Sequence, residues 1–169
     1  MIEPDDPRVG RGATPLDIYW LDGPPSFGAT APVVVTGVFD VLHLGHVRFL
    51  NRAAARRQPL YVGVEADNRV RAWKGPHRPI HRLAERTEML ASLKAVTKVF
   101  SIHGDPEACT VGDYVAVLRR VGPFALAHTA SDPHAEAKRQ GAEALGAEIW
   151  ELPLDPGYST TALLERIRA

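Results

Sequence analysis

From Pro32 onward the apolar positions of the chain follow two alternating rhythms. Short runs are apolar on both faces: "VVVTGVF" at 33–39, "LYVGVEA" at 60–66, "KVFSI" at 98–102, "FALAH" at 124–128 and "EIWELPL" at 148–154. Such β-branched, unbroken runs are the pattern of strands buried on both sides of a sheet. Between them apolar residues recur three and four apart, as on one face of a helix. Val47, Leu50, Ala53 and Ala54 do so within 46–58, and Leu83, Met89, Leu90, Leu93 and Val96 within 82–96. Further helices are predicted over 112–121, 133–146 and 160–169. Strands alternating with helices imply a parallel sheet covered on both faces, and right-handed crossovers make it doubly wound. The expectation is an α/β fold on a doubly wound parallel five-stranded sheet.

The first thirty-two residues break this rhythm. They hold six of the fourteen prolines and no helical period, so they bury too little apolar surface to offset their ordering entropy. Residues 1–32 read as an N-terminal arm, partly disordered or docking, ahead of a domain at 33–169. The apolar cluster "DIYWL" at 17–21 suits docking on that domain or on a second subunit, which leaves a homodimer open.

Composition narrows the function. A length of 169 residues suits one domain, and twenty basic side chains balance twenty acidic ones. General affinity for nucleic acid or an anionic membrane would show as a basic excess, so neither is expected as a partner. No apolar run approaches the ~20 residues of a membrane span. The start "MIEPDD" leads into no apolar signal region, so a cytoplasmic location is expected. Cys109 is the lone cysteine, which leaves neither an intrachain disulfide nor a cysteine-rich zinc site, and it reads as a plain thiol.

Ligands of such sheets bind at the carboxyl ends of the strands, where helix N-termini present N–H groups. Neither the dinucleotide fingerprint G-x-G-x-x-G nor the P-loop G-x-x-x-x-G-K-S/T stands after the first strand, so a nicotinamide-dependent dehydrogenase finds no support. The strand runs instead into "GVFDVLHLGH", Gly37 to His46. His43 and His46, three apart, share a helix face, and Gly45 between them leaves the backbone open to a bulky anion. Two imidazole donors and helix N–H groups directed at one spot would receive a polyphosphate. Two histidines satisfied by backbone carbonyls, or a zinc site, are the other readings of an isolated H-x-x-H.

The wider context bears on that choice. "GVFDVLHLGH" resembles the G-x-F-D-x-x-H-x-G-H signature of the cytidylyltransferase-like nucleotidyltransferases. "VGVEADNRVRAWKGPHRPIHRLAERTEML" looks like that superfamily's second-strand aspartate, K-G-x-x-R-P-I segment and R-x-E-M-L helix. "LPLDPGYSTTALLERIR" is similar to its C-terminal Y-S-T-T-x-I/L-I/L-E-R-I element. The set, in this order, is most similar to the heptose 1-phosphate adenylyltransferase branch and covers 33–169, implying the Rossmann-like HxGH fold.

The resemblance implies roles residue by residue. His43, His46 and Lys74 would be the catalytic group, steadying charge as the α-phosphorus becomes five-coordinate. Gly37, Val38, Phe39, Gly45 and Arg86 would line the nucleotide site, with Ser159, Thr160 and Thr161 offering hydroxyls and amides to the outer phosphates; Ser159 or Thr160 also suits a helix cap. Arg86 otherwise reads as a solvent-facing arginine. Asp40 would meet the acceptor or fix the loop after the first strand, and Asp67 would meet the acceptor or cap a turn. The chain departs from the branch at Glu65, which puts a negative charge near the phosphate path. It departs again at 126–136, where "LAHTASDPHAE" replaces V-K-G-G-D-Y; His128 would stand for the lysine and Asp132 for the aspartate.

The activity implied is transfer of AMP or CMP from ATP or CTP to a phosphorylated small molecule, a sugar 1-phosphate first, with release of pyrophosphate. Mg²⁺ would accompany the nucleotide, with no metal site of the protein's own. An alcohol phosphate or phosphonate cytidylyltransferase, and a nucleotide-binding regulatory domain without turnover, are the alternatives.

Overall fold

In the computed structural model the described residues are 15–26 and 28–168; residues 1–14 and 27 of the expected arm lie outside them. The strands are β1 (Leu16–Trp20), β2 (Val33–Gly37), β3 (Leu60–Glu65), β4 (Lys98–Gly104), β5 (Ala125–Thr129) and β6 (Glu148–Leu152). The helices are α1 (Leu44–Arg56), α2 (Asp67–Lys74), α3 (Leu83–Ala91), α4 (Val111–Leu118), α5 (Ala135–Leu145) and α6 (Thr160–Arg168).

All six strands form one sheet in the order β1-β4-β3-β2-β5-β6. The five expected strands pair in parallel. The sixth is a correction: Leu16–Trp20 adds an antiparallel edge, from Leu16 opposite Gly104 to Trp20 opposite Phe100. The cause is local alternation, since Leu16 and Ile18 turn inward and are buried, while Trp20 sets its ring against Tyr61 and Phe100. The sequence pattern does not predict α2, and α3 stops at Ala91, leaving Leu93 and Val96 to pack from the turn beyond it.

The alternation within β2 explains the two-sided cover. Val33 and Val35 face Phe49, Leu50 and Ala53 of α1 and Leu90 of α3. Val34 faces the opposite cluster, with Val117 and Leu118 of α4 and Ala142 of α5. Strand order reverses at β2, the topological switch point of a doubly wound sheet. There β2 stays paired with β3 through Gly37, but pairs with β5 only at Val33–Ala125 and Val34–Leu126. Beyond Val34 the two strands part, and their carboxyl ends frame a crevice.

Candidate active site

The loop leaving β2 has a demanding backbone. Phe39 (φ 52°) and Val41 (φ 54°) both occupy the left-handed region, which is rare for an aromatic and rarer for a β-branched residue. Asp40 between them holds that shape. Its carboxylate accepts from Arg78 Nε (2.6 Å) and from the backbone N–H groups of Ile80 (2.9 and 3.0 Å) and His81 (3.0 Å). Its burial alone would raise the pKa. The His81 and Ile80 amides and the Arg78 guanidinium outweigh that, and the carboxyl sits below its usual value. The Asp40 carbonyl accepts from the Thr160 hydroxyl (2.9 Å). One residue thus ties the histidine loop, the K-G-x-x-R-P-I segment and the head of α6 together.

His43 and His46 open α1, rings stacked at 3.8 Å between centroids and 22° between planes. The His43 backbone N–H donates to Nδ1 of His46 (3.4 Å), which requires that nitrogen to be unprotonated. The ring proton of neutral His46 is therefore on Nε2, leaving an N–H donor for a ligand. Desolvation first, then the charges of His43 and Lys74, bring the His46 pKa down to about 4. Burial lowers His43 too.

The cleft beside His46 measures about 640 Å³ and is bordered by Gly37, Val38, Phe39, Asp40, His46, Lys74 and Thr160, while His43 lies behind His46 and does not border it. Lys74 ends α2, where Gly75 turns the chain at φ 95°. Partial desolvation, then the positive charge of Arg78, holds the ammonium below the ordinary lysine value, against the pull of Asp40. On the opposite side Lys138 of α5 reaches across the split strands. Its ammonium donates to the Thr36 carbonyl (3.2 Å) and pairs with Asp132 (2.6 Å), and both charged residues border the cleft.

A family model described as cytidylyltransferase-like matches residues 34–166. The chain belongs to the cytidylyltransferase-like family. Among its relatives are the Bifunctional protein HldE of Methylococcus capsulatus, 35% identical over 147 residues, and that of Hyphomonas neptunium, 38% identical over 133. These matches take in 80% and 77% of this chain but 28% and 26% of the relatives, so the chain spans about a quarter of their length. A lipopolysaccharide core biosynthesis protein from Thermoplasma volcanium is similar in structure, with a TM-score of 0.58 and 25% identity, over 74% of this chain and 96% of that one.

Within this cytidylyltransferase-like domain several expected residues take other places. Arg86 neither faces solvent nor borders the cleft. Fully buried, it donates to the carbonyls of His81 (3.0 Å), Val38 (2.6 Å) and Glu65 (2.9 Å) and to the Asp67 carboxylate (2.6 Å). It is a clamp under the loop after β2, and Asp67 is its partner at the start of α2. Gly45 is not open to an anion, because a Cβ there would lie 2.7 Å from Tyr158 Cβ and 3.0 Å from the His43 ring. Its bareness lets the approach to α6 dock on α1. Ser159 caps α6 by accepting from the Ala162 amide (3.0 Å). The Thr160 hydroxyl donates to Asp40, and Thr161 borders a smaller neighbouring hollow. What α6 offers an anion is its N-terminal amides and the Ser159 hydroxyl proton.

The two departures from the heptose branch also resolve in space. Glu65 adds no uncompensated charge to the phosphate path, since it is buried against Arg69 Nε (2.7 Å) and the Tyr114 hydroxyl (2.6 Å). His128 does not replace the lysine. It is buried in β5, with Nδ1 2.9 Å from the Thr129 carbonyl and Nε2 buried without a partner, and it does not border the cleft. Lys138, which the motif comparison does not single out, supplies the cation beside Asp132. Its one signal in sequence is a lysine in the first turn of the helix after Asp132.

Proposed function

We propose that the chain transfers a nucleoside monophosphate from ATP or CTP to a phosphorylated small molecule and releases pyrophosphate. The observation that carries this is the His43–His46 stack at the switch-point crevice, with His46 set as an Nε2–H donor and Lys74 on the same cleft. An oxygen of the acceptor phosphate bonds to the α-phosphorus while the bond from that phosphorus to the bridging oxygen breaks. Pyrophosphate leaves with the electron pair. The acceptor oxygen is already anionic at neutral pH, so no base is needed; alignment and charge neutralisation suffice. His46 donates to the phosphate chain, Lys74 follows its charge, and the α6 amides receive its far end.

Among the described residues no group of three or more His, Cys, Asp or Glu could hold a metal, and both Asp40 oxygens are engaged. The residues present fit Mg²⁺ carried in by the triphosphate, which would supply further charge neutralisation there. No helix of the described residues is long and apolar enough to cross a membrane, and a cytoplasmic enzyme free of nucleic acid accords with small anionic substrates. The resemblance suggests a heptose-like sugar 1-phosphate with ATP, whereas the apolar walls of the cleft favour an alcohol phosphate. A screen of pyrophosphate release, four nucleoside triphosphates against a panel of phosphorylated acceptors, tests the reaction. Release with at least one pair supports it. Nucleotide binding with no release from any pair would mark a regulatory domain.

A further inference from the structure

Part of the same cleft forms an apolar chamber whose character differs from what a sugar needs. Its floor is Val34 of β2 and Leu126 of β5, and its walls are Val115 and Leu118 of α4 and Leu145 of α5. Two polar groups of the same lining are already engaged. The Tyr114 hydroxyl donates to Glu65 and accepts from Arg69 (3.0 Å), and the Thr36 carbonyl accepts from Lys138. A hydroxyl-rich sugar ring set among these walls would leave hydroxyls unpartnered, at roughly a tenfold loss of affinity or more for each.

Gly141 is a second, independent observation. It lies mid-way along α5, where glycine weakens a helix relative to alanine. No crowding demands it: a Cβ there would meet only Val115 Cγ2 at 3.9 Å and Leu126 Cδ1 at 4.0 Å, ordinary contacts. Its backbone is not among the left-handed glycines. The missing side chain leaves room in the chamber. At the mouth, where β2 and β5 part, stands the Lys138 ammonium with one-fifth of its side chain exposed, a cation placed for an anionic head.

We propose that this chamber takes the acceptor, that the acceptor is a phosphate monoester with an apolar body in place of a polyhydroxylated sugar, and that Lys138 binds its phosphate. This rests on the nucleotidyl-transfer reading. The same bonds form and break: the acceptor phosphate oxygen joins the α-phosphorus, and pyrophosphate carries off the electron pair.

The test compares n-alkyl phosphates from ethyl to hexyl with heptose 1-phosphate, using the full chain, ATP and CTP, and pyrophosphate release. The proposal expects kcat/KM to rise with alkyl length and to exceed the sugar phosphate by at least tenfold. Gly141→Leu, which fills the space, should remove the length dependence; Val115→Phe narrows it from the other wall should the first variant fold poorly. Lys138→Ala should raise the acceptor KM about tenfold with a smaller change in kcat, and Lys138→Arg should restore part of it. A merely structural lysine would lower Tm and leave that KM alone. Calorimetry with hexyl phosphate decides where turnover fails. Binding to the native chain and not to the filled variants supports the chamber even when no pair releases pyrophosphate, and the transfer reading then falls alone. Preference for heptose 1-phosphate, or equal hexyl phosphate binding by native and filled chains, overturns the proposal.

Discussion

Replacing Arg86 by alanine removes a fully buried guanidinium that joins three loops. Four acceptors lose their donor at once: the carbonyls of Val38, Glu65 and His81 and the carboxylate of Asp67. Breaking a buried ion pair by removing one partner costs about 3–5 kcal/mol, because the remaining charge and dipoles stay desolvated. Here the orphaned Asp67 side chain is 30% exposed and can recover water, which places the expected loss near the lower bound, about 3 kcal/mol. For a domain of this size that is a fall in Tm of roughly 6–12 °C. Urea unfolding at neutral pH is the assay, with an unchanged m-value showing that the unfolded reference is unaltered. Arg86→Lys retains the charge without the planar fork and should recover only part of the loss. A loss below about 1 kcal/mol, together with abolished nucleotide binding, would refute the clamp and return Arg86 to the phosphate site.

Three other perturbations rest on the same geometry. His46→Ala should cut turnover by roughly a hundredfold or more while barely moving Tm, as removal of a preorganised donor does; near-native turnover would remove His46 from the chemistry. His46 also carries a pH signature. Its pKa is lowered from 6.5 to about 4, so between those values the unfolded chain binds more proton and stability falls as pH drops; His46→Gln should flatten that slope in urea midpoints, leaving the part due to His43 and His103, which burial also lowers. Lys74→Ala should raise the nucleotide KM much more than Lys74→Arg, and equal KM for both and the native enzyme would make it a surface lysine. Leu16→Ala, at a position 1% exposed in β1, should cost about 2–5 kcal/mol as a core truncation, whereas an arm lying loosely on the surface would lose almost nothing.

How much of this is legible in sequence depends on how local each signal is. The parallel strands β2 to β5 show as apolar runs because both faces of each are covered, β6 at the edge shows through Ile149, Trp150 and Leu152, and the histidine loop shows because its residues are contiguous. β1 is hidden by its neighbours: Pro15, Pro24 and Pro25 mark the segment as irregular, although Leu16, Ile18 and Trp20 alternate as an edge strand does. Arg86 and Arg69 are legible as arginines but not as buried ones, since full burial depends on acceptors brought from other elements. Gly45 is misjudged from its chain neighbours, because its constraint is Tyr158, which only the packing of the α6 approach on α1 brings near.

Lys138 and Glu65 show why substitutions in the motif segments mislead when they are read position by position. Loss of a lysine after β5 leaves a crevice short of a cation, and a helix whose first turns overhang that crevice can restore the charge from a different chain position. Lys138 reaches a carbonyl 102 residues away in sequence. A glutamate at the end of β3 would repel a phosphate if its charge faced the cleft unpaired. Arg69, one turn later on α2, and Tyr114 from α4 take up both of its oxygens. Asp40 and Asp132 are matched likewise by Arg78 and Lys138. Each carboxylate bordering the cleft therefore comes with its own cation or hydrogen-bond donors. The donor of His46 and the charge of Lys74 stand outside these pairs. Under the proposed function an arriving triphosphate would meet them and the α6 amides without first having to break an ion pair, so the attraction gained would not be offset by a charge left bare.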